Sequence, residues 1–160
     1  MDGIIISPFL FTFPFVFMSK FKVLIADDNQ TNVELLEAYL GDCGYEIEIA
    51  VDGLDTLKKV VVFKPDLILL DIMMPKLSGF EVCEKIKSEP RTKDIMILMV
   101  TALTDLGDIE RAVLAGCDDY LSKPVNKHEL IKRTENMLRL RSVTDELERL
   151  RRYIDQMEED

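Results

Sequence analysis

From Phe21 onward the chain alternates short apolar runs with amphipathic stretches, and the rhythm repeats five times. Val23 to Ala26 is an apolar run that stops at Asp27-Asp28. Gln30 to Gly41 follows, with Val33, Leu36 and Leu40 on one face at helical spacing, and Gly44 marks a turn. Glu46 to Ala50 reads as a second strand and Leu54 to Phe63 as a second helix. Asp66 to Leu70 runs into Asp71, and Phe80 to Lys87 is the third helix. Ile95 to Val100 runs into Thr101, with Ile109 to Ala115 in a fourth helix. Tyr120-Leu121 closes a last strand before Lys123-Pro124, and a long helix starts near Lys127. Strands that are apolar on both faces belong to a parallel sheet covered by helices on both sides. Right-handed crossovers make the arrangement doubly wound.

In such sheets, sites form beyond the carboxyl ends of the strands. Those ends here carry Asp27, Asp28, Asp71, Thr101 and Lys123. The pattern therefore gathers carboxylates, a hydroxyl and an ammonium on one edge of the domain. Two carboxylates about 4 Å apart at an effective dielectric near 20 repel by on the order of 4 kcal/mol. Such a cluster binds a cation or holds a proton. Oxygen ligands without Cys or His select a hard cation, and Mg²⁺ is the one that keeps waters and accepts phosphate. Beside it, Asp71 would stay ionised and could attack phosphorus, with Lys123 and Thr101 holding phosphoryl oxygens. Each residue also has a plainer reading. Asp27 or Asp28 could cap the following helix, Thr101 could be an ordinary strand end, Lys123 a solvated lysine and Tyr120 half-buried core.

The segments VLIADDNQTN, DLILLDIMMPKLSGFEVC, ILMVTAL and GCDDYLSKP, in that order, resemble the receiver domain of bacterial two-component response regulators over residues 22 to about 140. The resemblance implies a flavodoxin-like (βα)5 fold of strand order 2-1-3-4-5, with Asp71 as phosphoacceptor. It implies that Asp28 ligates Mg²⁺ directly, Asp27 through water, and Met73 through its backbone carbonyl. Lys123 would pair with the phosphoryl group, while Thr101 and Tyr120 would act as switch residues. It further implies a cis Lys123–Pro124 bond, a loop shaped by Pro75 and Gly79, and an open site beside the small Ala102. The implied partner is a histidine kinase or histidine phosphotransfer protein, acting in the cytoplasm. Met73 and Leu103, two residues beyond Asp71 and Thr101, are apolar and cannot hydrogen-bond an attacking water strongly. Slow autodephosphorylation is expected.

Composition narrows the alternatives. The 160 residues carry 20 basic and 30 acidic side chains, a net charge of −10, which argues against direct nucleic-acid binding. Cys43, Cys83 and Cys117 are scattered and read as buried free thiols of a reducing compartment, and His128 as a solvated helix residue. Neither GxxxxGK[ST] nor GxGxxG occurs, and Asp-Asp-Asn after the first strand would repel a flavin phosphate. An aspartate-nucleophile phosphatase would want an acid where Met73 stands, so turnover of outside phosphoesters is not expected. The methionines Met73, Met74, Met96 and Met99 read as loop and core filling.

Both ends depart from the central pattern. Gly3 to Phe17 is almost wholly apolar but broken by Pro8 and Pro14, too short to span a membrane and without a basic region before it. Residues 1–19 form a leader: either translation begins at Met18, or the leader is a membrane-surface or partner-binding tail. At the other end, Leu140, Val143, Leu147, Leu150, Ile154 and Met157 recur at alternating steps of three and four. That is a coiled-coil seam, and Lys127 to Glu158 would make a helix of roughly 48 Å. A receiver over 20–140 with a coiled-coil extension over 141–160 is expected, dimerising through the seam with Arg141, Glu148, Arg149 and Arg151 as flanking charges. Output would pass through an unknown downstream protein. The competing functions are a phosphorylation-independent dimeric adaptor and a receiver fragment of a larger regulator such as a diguanylate cyclase.

Overall fold

The computed structural model describes residues 20–102 and 106–158, and their side chains other than those of 149 and 152–158. The leader, Leu103 and the side chains of Ile154 and Met157 lie outside that description. Five strands alternate with helices: β1 (Lys22–Ala26), α1 (Gln30–Leu40), β2 (Glu46–Ala50), α2 (Gly53–Phe63), β3 (Leu67–Leu70), α3 (Gly79–Ser88), β4 (Met96–Thr101), α4 (Leu106–Leu114), β5 (Asp119–Ser122) and α5 (Lys127–Glu158). Every pairing is parallel and the order is β2-β1-β3-β4-β5, so the expected doubly wound sheet is present.

The period of two along the strands divides the core into two layers. Val23 and Ile25 of β1, with Leu67, Leu69, Leu98 and Val100, face Val33, Leu36 and Leu40 of α1 and Leu130, Met137 and Leu138 of α5. Leu24 and Ala26, with Ile68, Leu70, Ile97 and Met99, face Val60, Phe80, Val82, Cys83, Ile86 and Ala112 of α2, α3 and α4. Only the three inner strands are buried almost throughout. The edge strands β2 and β5 are partly open to solvent, because each has a neighbour on one side only.

Four of the helix starts are fixed by side chains, that of α5 by Asn126, whose Oδ1 accepts from the Glu129 N–H. Asn29 caps α1 by accepting from the N–H groups of Thr31 and Asn32. This corrects the reading of Asp27 or Asp28 as the cap of α1. Asp52 caps α2 through the Asp55 N–H, and Ser78 with Glu81 forms a capping box on α3. The helix α4 begins at Leu106, earlier than the apolar spacing from Ile109 suggests. Gly44, at φ +74°, makes the expected turn before β2. Cys83 is buried, whereas Cys43 and Cys117 are only half-buried, so the expectation of three buried thiols is corrected for two of them. His128 is exposed, as expected. No helix among the described residues is long and apolar enough to cross a membrane.

Candidate functional site

Adjacent strands deliver the site residues to one edge. The Asp27 N–H donates to Ala50 O, and the Asp71 N–H donates to Ala26 O at 2.9 Å, so the ends of β2, β1 and β3 are tied level. The Lys123 N–H donates to Thr101 O at 2.8 Å, which ties the end of β4 to the segment after β5. Carboxylate oxygens of Asp27, Asp28 and Asp71 consequently lie within 4.8 Å of one another. The Lys123 ammonium is 3.0 Å from Asp27 Oδ2 and 3.6 Å from Asp71 Oδ1. The cis bond at Lys123–Pro124 is present.

The three carboxylates are not equivalent. Asp27 is 2% exposed and its oxygens are engaged: Oδ1 accepts from the Asn29 N–H, and the Asn32 amide donates to Oδ2 at 3.1 Å. Asp28 is exposed, with a carboxylate oxygen in the cluster. Asp71 is 7% exposed, and burial pushes its carboxyl above the usual range. Lys123 pulls the other way, the Asp27 charge adds to the rise, and the N–H groups of Met73 and Ile72 partly offset it. This carboxylate is therefore costly to leave uncompensated and suited to meeting a cation or an electrophile.

A well-supported loop carries the residues after Asp71. The Gly79 N–H donates to Ile72 O, and a Cβ at Gly79 would stand 2.4 Å from Asp71 O. The start of α3 therefore presses against the backbone of the site, which only glycine permits. The Gly53 N–H reaches Pro75 O, and a Cβ there would meet Leu77 O at 2.4 Å. Lys76, at φ +70°, reaches back to Asp52 at 2.5 Å. The Met73 side chain is 70% exposed, so it offers the site only its backbone.

Thr101 is buried at 4%, and Tyr120 is 38% exposed on the edge strand. A cavity of about 10 Å³ lies between them, lined also by Ile72, Met99, Asp108, Ile109 and Ala112. A larger groove of about 250 Å³ runs from Lys123 and Pro124 over Asn32, Leu35, Leu36 and Tyr39 of α1. The Asp27, Asp28, Asp71 and Lys123 side chains thus meet at one edge, with Thr101 tied to Lys123 through its backbone carbonyl and Tyr120 on the next strand. The sequence reading missed Asn32 and the Asp52–Lys76 pair. A polar amide one turn into α1, on the side of Asp27, was the available sign of the first. Nothing in the spacing of 24 residues between Asp52 and Lys76 marks the second.

Comparison with known proteins agrees with this geometry. A family model described as the response regulator receiver domain matches residues 23–135. The chain belongs to that family. This receiver domain is 40% identical over 126 residues to the response regulator PleD of Caulobacter vibrioides, covering 79% of the chain and 28% of PleD. It is 40% identical over 118 residues to the alkaline phosphatase synthesis transcriptional regulatory protein PhoP of Bacillus subtilis, covering 74% of the chain and 48% of PhoP. Among solved structures it resembles a CheY-like response regulator receiver protein from Methanospirillum hungatei at 29% identity and TM-score 0.74, covering 79% of the chain and 99% of the other. It also resembles the chemotaxis response regulator CheY4 of Vibrio cholerae at 31% identity and TM-score 0.70, covering 74% and 99%. The receiver domain spans half or less of these two curated relatives and nearly all of the structural ones. Its role is that of a phosphoacceptor module of two-component signal transduction.

Proposed function

We propose that Asp71 is the phosphoacceptor and takes its phosphoryl group from a histidine kinase or histidine phosphotransfer protein. The observation that carries this reading is the convergence of the Asp27, Asp28 and Asp71 carboxylates within 4.8 Å, with Lys123 3.6 Å from Asp71. An Asp71 oxygen attacks phosphorus, the P–N bond of the phosphohistidine breaks, and its electron pair returns to the imidazole nitrogen. Lys123 moves its charge from the carboxylate to the transferred phosphoryl oxygens, and the Thr101 hydroxyl binds another of them. Positioning and charge are what such a transfer demands of a protein.

The donor set fits a hard divalent cation, because every nearby ligand is oxygen. Asp28, Asp71 and the Met73 carbonyl would hold Mg²⁺, with Asp27 acting through water. When bound, the ion neutralises the carboxylates and the charge that develops on the phosphoryl oxygens. Asp27 suits the indirect role, since Lys123, Asn29 and Asn32 already occupy its oxygens.

The signal leaves through altered protein contacts. Thr101 and Tyr120 act as the switch pair. The cavity between them has room for about one water, so an inward turn of the Tyr120 ring must displace Ile109 and the start of α4. The output face is therefore α4, β5 and the first turns of α5. A second copy of the chain joins through the exposed seam of α5, and the process takes place in the cytoplasm, where the phosphodonor resides. With Met73 in place of an acid, the domain turns over no outside phosphoester. A second reading is the receiver part of a longer regulator with α5 as its connector, favoured by the share of its curated relatives that the chain spans.

Beryllium trifluoride, reported with an activated receiver domain of DrrB, supplies the test. With Mg²⁺ present it should shift the backbone NMR signals of Asp71, Thr101, Ala102 and Tyr120. The same signals unmoved at saturating reagent would overturn the reading.

A further inference from the structure

The domain-facing side of α5 ends where its apolar seam begins. Leu130, Thr134, Met137 and Leu138 are buried against the sheet. One turn on, the Arg141 Nε donates to Asp66 Oδ1 at 3.1 Å, and its Nη1 donates to Asp94 O. Asp66 is itself fixed, since its Oδ2 accepts the Lys22 N–H at 2.8 Å. Arg141 therefore latches the helix to the base of β1 and β3. This corrects its expected role as a flanking charge of the coiled coil. At about 100° per residue, Arg141 lies roughly 140° around the helix from the line through Leu140, Val143, Leu147 and Leu150. Those four are 62%, 49%, 61% and 54% exposed, so the domain covers none of them fully.

We infer that this seam is closed by a second copy lying parallel and in register, with Glu146 of each helix paired to Arg151 of the other. The inference rests on the homodimer reading above and specifies its geometry. The steps of three and four place Leu140, Leu147 and Ile154 at a, and Val143, Leu150 and Met157 at d. Glu146 then falls at g and Arg151 at e, five residues later, which is the spacing at which parallel helices bring opposite charges together. Both residues are exposed in the single chain. One heptad earlier the g position is Arg139 and the matching e position Thr144, so no like charges oppose one another there. A helix so polar elsewhere holds little structure of its own beyond the domain unless the seam is covered. Because Arg141 fixes where each helix leaves its sheet, a parallel pair sets the two receivers side by side at the same end, and movement of one α5 reaches the other.

Sedimentation equilibrium of the full chain across about two decades of concentration reads the dimer itself. Glu146→Arg and Arg151→Glu, each alone, should weaken association roughly tenfold, because two repulsive pairs replace two attractive ones. The double exchange should restore it. Val143→Cys tests direction independently with a short thiol cross-linker, beside the parent chain with its native cysteines. In a parallel in-register pair the two introduced thiols face each other; in an antiparallel pair they lie roughly 16 Å apart. A concentration-independent monomer overturns the homodimer reading and this inference together. A dimer that ignores the single reversals, is not restored by the double exchange, or fails to cross-link at 143 overturns the parallel register alone.

Discussion

At the scale of single residues, Asp71 is the most informative group. Its buried carboxyl titrates above the usual range. Below the unfolded value of about 3.9, both folded and unfolded states are protonated and the site costs nothing. As pH rises from that value towards the elevated native one, the unfolded chain ionises while the folded one keeps its proton, so stability falls, and the full penalty persists at neutral pH. Asp71→Asn should therefore raise Tm by about 2–5 °C at pH 7 without Mg²⁺, with the gain vanishing near pH 4. Added Mg²⁺ should stabilise the parent and not the variant, as thermal melts with and without chelator will show. Lys123→Ala should leave the domain folded but slow phosphorylation by at least about tenfold, since it removes the ammonium that faces both Asp27 and Asp71. The apolar Met73 predicts a slow loss of phosphate. A half-life of seconds in the isolated domain would contradict that expectation.

At the scale of elements, helix and strand limits were legible to within a few residues because the apolar spacing is strong and Asp27, Asp71 and Thr101 end their runs. What the sequence left open were contacts that no local rule encodes. Asn29 caps α1 although two aspartates stand immediately before it, because Asp27 is drawn into the site by Lys123, 96 residues away. Arg141 read as a coiled-coil charge because its partners, Asp66 and Asp94, are far along the chain. The two-sided apolar rule described β1, β3 and β4 well and the edge strands poorly, because one side of β2 and of β5 has no neighbouring strand. The loop after Asp71 depends on two close approaches. Gly79→Ala must displace the Asp71 backbone, and a loss of roughly 2–4 kcal/mol in denaturant unfolding is expected. Ser78→Ala, which removes only the cap of the same helix, should cost about 1 kcal/mol. A Gly79→Ala variant as stable as the parent would show that the α3 start can move without disturbing the site.

At the scale of the whole molecule, the sheet is a frame that holds carboxylates and an ammonium at one edge while α5 carries a second surface past the other. The two ends are joined through β3 and β4: Asp66 and Asp94, beside the Arg141 latch, precede the strands that run to Asp71 and Thr101. On the proposed reading, a charge event at one edge reaches the helix that leaves the other through these strands, by shifting the population of two arrangements. Everything in this route depends on Asp71 taking the phosphoryl group. Intact-protein mass after incubation with a small phosphoryl donor, with and without Mg²⁺ and beside Asp71→Ala, tests that most directly. A gain of one phosphoryl group that requires Mg²⁺ and is absent from the variant is the expected result; no gain by the folded parent with Mg²⁺ present, or an equal gain in the variant, would contradict it.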